Sequence, residues 1–68
     1  MLIKNLLIPK WITVALAAEL TGYSSKALNQ KIDKGQLPYG VVWINAPDNR
    51  RMINLQQFMR WLEGEIET

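Results

Sequence analysis

The stretch "ELTGYSSKALNQKIDKGQLP" over 19–38 constrains this chain more than any other feature. It contains two helix boundaries and a tight corner. Gly22 suits the left-handed conformation that ends a helix, and Ser24 is an N-cap residue able to accept a backbone N–H from the first turn of the next. Tyr23 before the cap and Leu28 after it occupy the two positions of a hydrophobic staple. The second helix then runs to about Lys34, where Gly35 stops it and Pro38 prevents a restart. Upstream, Thr13 caps a first helix over 14–20, rich in alanine and leucine. Two short helices joined by "TGYS" have the spacing of a helix-turn-helix, and Ala17 and Ala18 allow the helices to approach closely.

The remainder of the chain supplies a hairpin and a third helix. Residues 41–44 are β-branched or aromatic, as a strand requires. Pro47 stands at the second position of a type I turn, followed by Asp48 and Asn49. The return strand covers 51–54, so the tip carries Asp48, Asn49, Arg50 and Arg51. Asn54 caps the third helix, with Gln57 placed for a capping box and Ile53 and Phe58 for a second staple. Leu55, Phe58, Met59, Leu62 and Ile66 form one apolar stripe at helical spacing. The expected architecture is α+β: a small winged helix made of a helix-turn-helix, a two-stranded wing hairpin and a C-terminal helix. Residues 1–12 are expected to be an N-terminal arm or short strand, 13–64 the domain, and 65–68 a short acidic tail.

At 68 residues there is room for one small domain, which buries only about 60% of the surface its unfolded chain exposes. Cysteine and histidine are both absent. Thiolate metal sites, disulfides and the commonest general acid–base are thereby excluded, and no cofactor, metal site or enzymatic activity is expected. The start "MLIKNLLIP" has an apolar run broken at Lys4 and Asn5 and no cleavage pattern, and nothing approaches the roughly 20 apolar residues of a membrane span. No membrane partner is expected, and the location expected is the cytoplasm of a bacterial host, in association with the nucleoid.

Charge is unevenly spread. Residues 1–60 hold all eight basic residues against Glu19, Asp33 and Asp48, a balance of +5, whereas 61–68 add only Glu63, Glu65 and Glu67. A basic body with an acidic tail suits a module that binds a polyanion.

The second helix indicates where. Measured from Leu28 at 100° per residue, Ile32 lies about 40° away on the core face, while Lys26, Asn29, Gln30 and Asp33 fall at about 100° to 200°. In a helix-turn-helix that far face enters the major groove. Asn and Gln pair with adenine N6 and N7, and Lys reaches guanine or a phosphate. Asp33 repels phosphate unless it accepts from cytosine N4. The expected major-groove residues are Ser25, Lys26, Asn29, Gln30 and Asp33. Lys34, Asn49, Arg50 and Arg51 are the expected phosphate and wing contacts, the arginines suiting a narrow minor groove. Trp11, Trp43 and Trp61 read as core rather than as a stacking platform for single strands. Leu16 and the arm "LIKNLLI" are open between core and a self-association patch.

The segment "WITVALAAELTGYSSKALNQKIDKGQLP", then a hairpin, then "RRMINLQQFMRWL" resembles the small excisionases of temperate phages and integrated elements, within the winged-helix group related to MerR-type DNA-binding domains. The similarity covers about 11–62. It rests on the Thr cap, the Ala-Ala pair, the Gly-x-Ser turn, the Gly-x-Leu-Pro exit and the Arg before a polar-capped third helix. The resemblance implies an architectural protein that binds adjacent duplex DNA sites, bends them and assists a tyrosine integrase in excision, with neighbouring copies of itself as further partners. It maps the recognition helix onto 25–34 and the wing onto 45–51. The chain departs from the pattern in having no arginine in that helix and an apolar Leu16 where relatives often carry charge. A phage transcriptional regulator or a DNA-packaging recognition subunit would use the same module. A protein-interaction module without DNA binding is the alternative of another class.

Overall fold

In the computed structural model, which describes residues 9–66, the three expected N-caps all form. Thr13 Oγ1 accepts from Leu16 N–H (3.1 Å), Ser24 Oγ from Ala27 N–H (3.0 Å) and Asn54 Oδ1 from Gln57 N–H (3.2 Å). They open helices α1 (Val14–Thr21), α2 (Ser25–Asp33) and α3 (Leu55–Leu62). Each cap pairs one backbone donor that the helix itself leaves without a partner. Gly22 ends α1 at φ +86°, in the left-handed region. Gly35 at φ +72° ends α2, with Gln36 N–H returning to the Lys31 carbonyl in a Schellman closure.

Three short strands complete the molecule: β1 (Trp11–Thr13), β2 (Trp43–Asn45) and β3 (Arg51–Asn54). They form an antiparallel sheet in the order β1-β3-β2. The expected two-stranded hairpin forms as β2 and β3, and β1 adds a third strand to it. Ile12 pairs with Ile53, so Trp11 and Ile12 take the short-strand alternative expected for the end of the N-terminal segment. The expected strand 41–44 also shifts. Val41 and Val42 both donate their N–H groups to the Pro38 carbonyl, so the chain turns there; the residue register with β3 begins at Trp43, just after the Val42 carbonyl accepts from Asn54 N–H. At the far end Asn49 N–H bonds the Ala46 carbonyl across Pro47 and Asp48, and Asn49 itself sits at φ +68°. A tight turn followed by one left-handed residue is a recurrent hairpin closure.

Strand alternation sends Ile53, with its cross-strand partners Ile12 and Trp43, to one face of the sheet and Met52 to the other. The helices cover the Ile53 face. Ala17, Leu28, Val42, Ile53 and Phe58 are fully buried at the centre. Phe58 meets Tyr23 edge-on (ring centroids 5.8 Å apart) and stacks on Trp61 (5.7 Å), so the corner between α1 and α2 is tied to α3. Burying one such ring is worth roughly 1.5–3 kcal/mol, and geometry of this kind adds about 0.5–1.5 kcal/mol. Leu37 and Val42, which lie in the connection before β2, are also core residues.

Two details of α3 differ from expectation. The capping box is half made: Asn54 N–H donates to the Val42 carbonyl (2.8 Å), so Gln57 has no free donor to answer and its Oε1 accepts from Arg60 instead. The apolar stripe also stops early. The helix ends at Leu62, which is 38% exposed, and Ile66 lies beyond it. Glu65 of the expected tail turns back to Arg60 (3.2 Å). The arm over 1–8 and residues 67 and 68 lie outside the described residues.

Candidate functional site

Leu28 and Ile32 anchor α2 in the core, and the helix turns the rest of its surface outward. Ser25, Lys26, Gln30 and Lys34 are exposed. Among the described residues none forms a side-chain hydrogen bond or ion pair with Lys26, Gln30 or Lys34. Asn29 and Asp33 are placed differently. Both are reached by Arg51 of β3, whose Nη1 donates to Asn29 Oδ1 (2.9 Å) and whose Nη2 donates to Asp33 Oδ1 (2.7 Å). The guanidinium also lies over the Trp43 ring, 5.6 Å from its centroid. Trp43 is itself fixed, since its Nε1–H donates to the Leu37 carbonyl (3.1 Å) and Tyr39 packs edge-on against it.

The two arginines of the hairpin therefore part company. The Arg50 side chain is 72% exposed and has only a loose pairing with Asp48 at 3.6 Å. The Arg51 side chain is 34% exposed and lies against α2. Strand parity explains the difference: Arg51 shares the face of Ile53, two residues on, and that face carries the helices. The same alternation in "RMI" is the signal by which the sequence separates Arg51 from Arg50.

Thr13, Val14, Asn29, Asn49, Arg50 and Arg51 line one open cleft. The start of α1, Asn29 of α2 and the hairpin tip therefore meet at one opening, whereas Ser25, Lys26, Gln30 and Lys34 do not line it. At that tip Asp48 Oδ1 accepts from Arg50 N–H (3.1 Å), and Asn45 Nδ2 reaches Asn49 Oδ1 at 3.5 Å. Lys31, which sequence reasoning passed over, points elsewhere. Its ammonium lies 5.2 Å from the Tyr23 ring centroid and 5.9 Å from that of Trp61, linking α2 to α3. All three tryptophans are half-buried, and Trp43 and Trp61 have intramolecular ring partners. Leu16 is 37% exposed.

Chemically the cleft offers guanidinium and carboxamide donors, with Asp33 balancing the Arg51 charge from the end of α2. Among the described residues there is no cluster of three metal-ligating side chains. No helix among them is long and apolar enough to cross a membrane. No protein-family model matches the chain, and neither a curated protein nor a solved structure matches it.

Proposed function

We propose that this chain is a winged-helix protein that binds duplex DNA, with α2 in the major groove and the hairpin over the neighbouring phosphates and minor groove. The observation that supports this reading is the junction of α2 with the hairpin: Arg51 reaches both Asn29 and Asp33, and Asn29 lines one cleft with Asn49, Arg50 and Arg51 of the tip. Lys26, Gln30 and Arg50 leave their side-chain donors exposed, and the body of the chain is basic. A helix with amides facing out and a cationic hairpin beside it suits a groove and its flanking phosphates.

A single module of this size buries about 600–1,000 Å² on DNA, so one copy binds weakly and several side by side bind usefully. The role proposed is architectural: an excisionase of a bacterial prophage, acting in the cytoplasm on DNA that it bends in support of a tyrosine integrase. Transcriptional regulation or packaging recognition would use the same surface. Four to six basic residues at phosphates give a slope of log affinity on log salt of roughly −4 to −5. A gel-shift titration across salt measures it, and a flat line removes the proposal. Footprinting on DNA from the source element, with and without its recombinase, separates excision from the other two roles.

The exposed Leu16 favours a second reading, a protein-interaction module. Dimerisation in solution together with failure to shift any duplex at low salt would select it.

A further inference from the structure

The hydrogen bonds around Asn29 carry the DNA reading one step further. A carboxamide has two N–H donors and two oxygen lone pairs. In Asn29 one of each is engaged: Oδ1 accepts from Arg51 Nη1 at 2.9 Å, and Nδ2 donates to the Ser25 carbonyl at 3.1 Å. The orientation is dictated by chemistry on both sides. A guanidinium has only donors, so oxygen must face Arg51. A peptide carbonyl only accepts, so nitrogen must face Ser25. Rotating the amide by half a turn would set donor against donor and acceptor against acceptor. One N–H and one lone pair remain, in number and kind what an adenine takes through N7 and N6–H.

Arg51 is itself immobilised. Asp33 Oδ1 accepts from its Nη2 at 2.7 Å, and the Trp43 ring lies beneath it at 5.6 Å. Asp33 therefore has a use that phosphate repulsion does not forbid: it balances and aims the arginine. Gln30 and Lys26, by contrast, have no such support among the described residues.

Resting on the DNA reading, we propose that Arg51 is a positioning residue that holds the Asn29 carboxamide ready for one adenine, and that it is not a phosphate anchor. Preorganising the amide removes an ordering cost from binding. Sequence preference at that base pair then depends on a residue that does not touch the base.

The test uses the full chain, Arg51→Lys and Arg50→Ala. A preferred site is first selected from random-sequence duplexes and then changed one base pair at a time in gel shifts across salt. Arg51→Lys keeps the charge and loses the fork. It is expected to lower the preference for adenine at one position by about tenfold, with binding to other sequences and the salt slope unchanged, whereas Arg50→Ala weakens all sequences alike. In the free protein, NMR should show the two Asn29 side-chain amide protons well separated and slow to exchange, and Arg51→Lys should move them to the values of an exposed amide. A uniform loss of affinity in Arg51→Lys, or Asn29 signals identical in both proteins, overturns the proposal. A wild-type chain that shifts no duplex at low salt overturns the adenine contact together with the DNA reading. The amide signals tell that result apart from failure of the clamp.

Discussion

Arg51 Nη2 donates to Asp33 Oδ1 at 2.7 Å, joining the start of β3 to the last residue of α2. The neighbouring arginine makes the contrast. Arg50 approaches Asp48 only within the hairpin tip, at 3.6 Å, and both side chains are largely exposed. The first pair fixes one element against another, and the second fixes nothing beyond its own turn.

A double-mutant cycle distinguishes the two pairs. Arg51→Ala with Asp33→Ala is expected to show a coupling of about 0.5–1 kcal/mol in urea unfolding. Asp33 is 62% exposed, which keeps the value within the range of surface pairs. The Arg50–Asp48 cycle is expected within a few tenths of a kcal/mol of zero. Equal couplings would remove the distinction.

Charge and readout separate along α2. Lys26→Ala should reduce the steepness of the salt dependence of DNA binding by about 0.9 and weaken all sequences together. Gln30→Ala should leave that slope alone and relax preference at one base pair by ~1–3 kcal/mol. Gel shifts on matched and mismatched duplexes measure both, and a Gln30 effect uniform over sequence would exclude base contact.

Stability depends heavily on Phe58. The ring is fully buried between Tyr23 and Trp61, and truncating such a residue costs about 3–5 kcal/mol. A domain of 68 residues has roughly 3–10 kcal/mol in total. Phe58→Ala is expected to lose its cooperative thermal transition by circular dichroism. Leu16→Ala, at an exposed position, should melt within ~0.5 kcal/mol of wild type.

Gly22→Ala isolates a backbone effect. A Cβ at Gly22 would meet nothing within 4 Å, so no clash is added, but φ is +86°. The expected cost is about 1–2 kcal/mol, or a fall in melting temperature of roughly 4–8 °C for each kcal/mol. Gly22→Asn should lose less than Gly22→Ala, because Asn tolerates the left-handed region. An alanine variant as stable as wild type would show that α1 ends differently.

The helices were legible because their signals are local. Thr13, Ser24 and Asn54 each cap through a backbone N–H three residues on, and Gly22 and Gly35 act through their own φ. The strands were less so. β1 exists only because β3 offers Ile53 to Ile12, and Val42 leaves the expected strand because the Pro38 carbonyl binds Val41 and Val42 into a turn. The half-formed capping box has the same origin, since the Asn54 N–H that Gln57 would have answered already faces Val42.

The polar row of α2 and the cationic hairpin tip were set by residue order alone, through helical and strand periodicity. Residue order did not decide how they divide the work. Asn29 and Arg51 are 22 positions apart, and no local preference acts over that distance. Burying Ile53 in one core with Leu28 and Ile32 of α2 brought Arg51 beside Asn29 and Asp33 and left Arg50 in solvent. A side chain's partners are fixed by where the core places its backbone, and the core forms only when the whole chain is assembled.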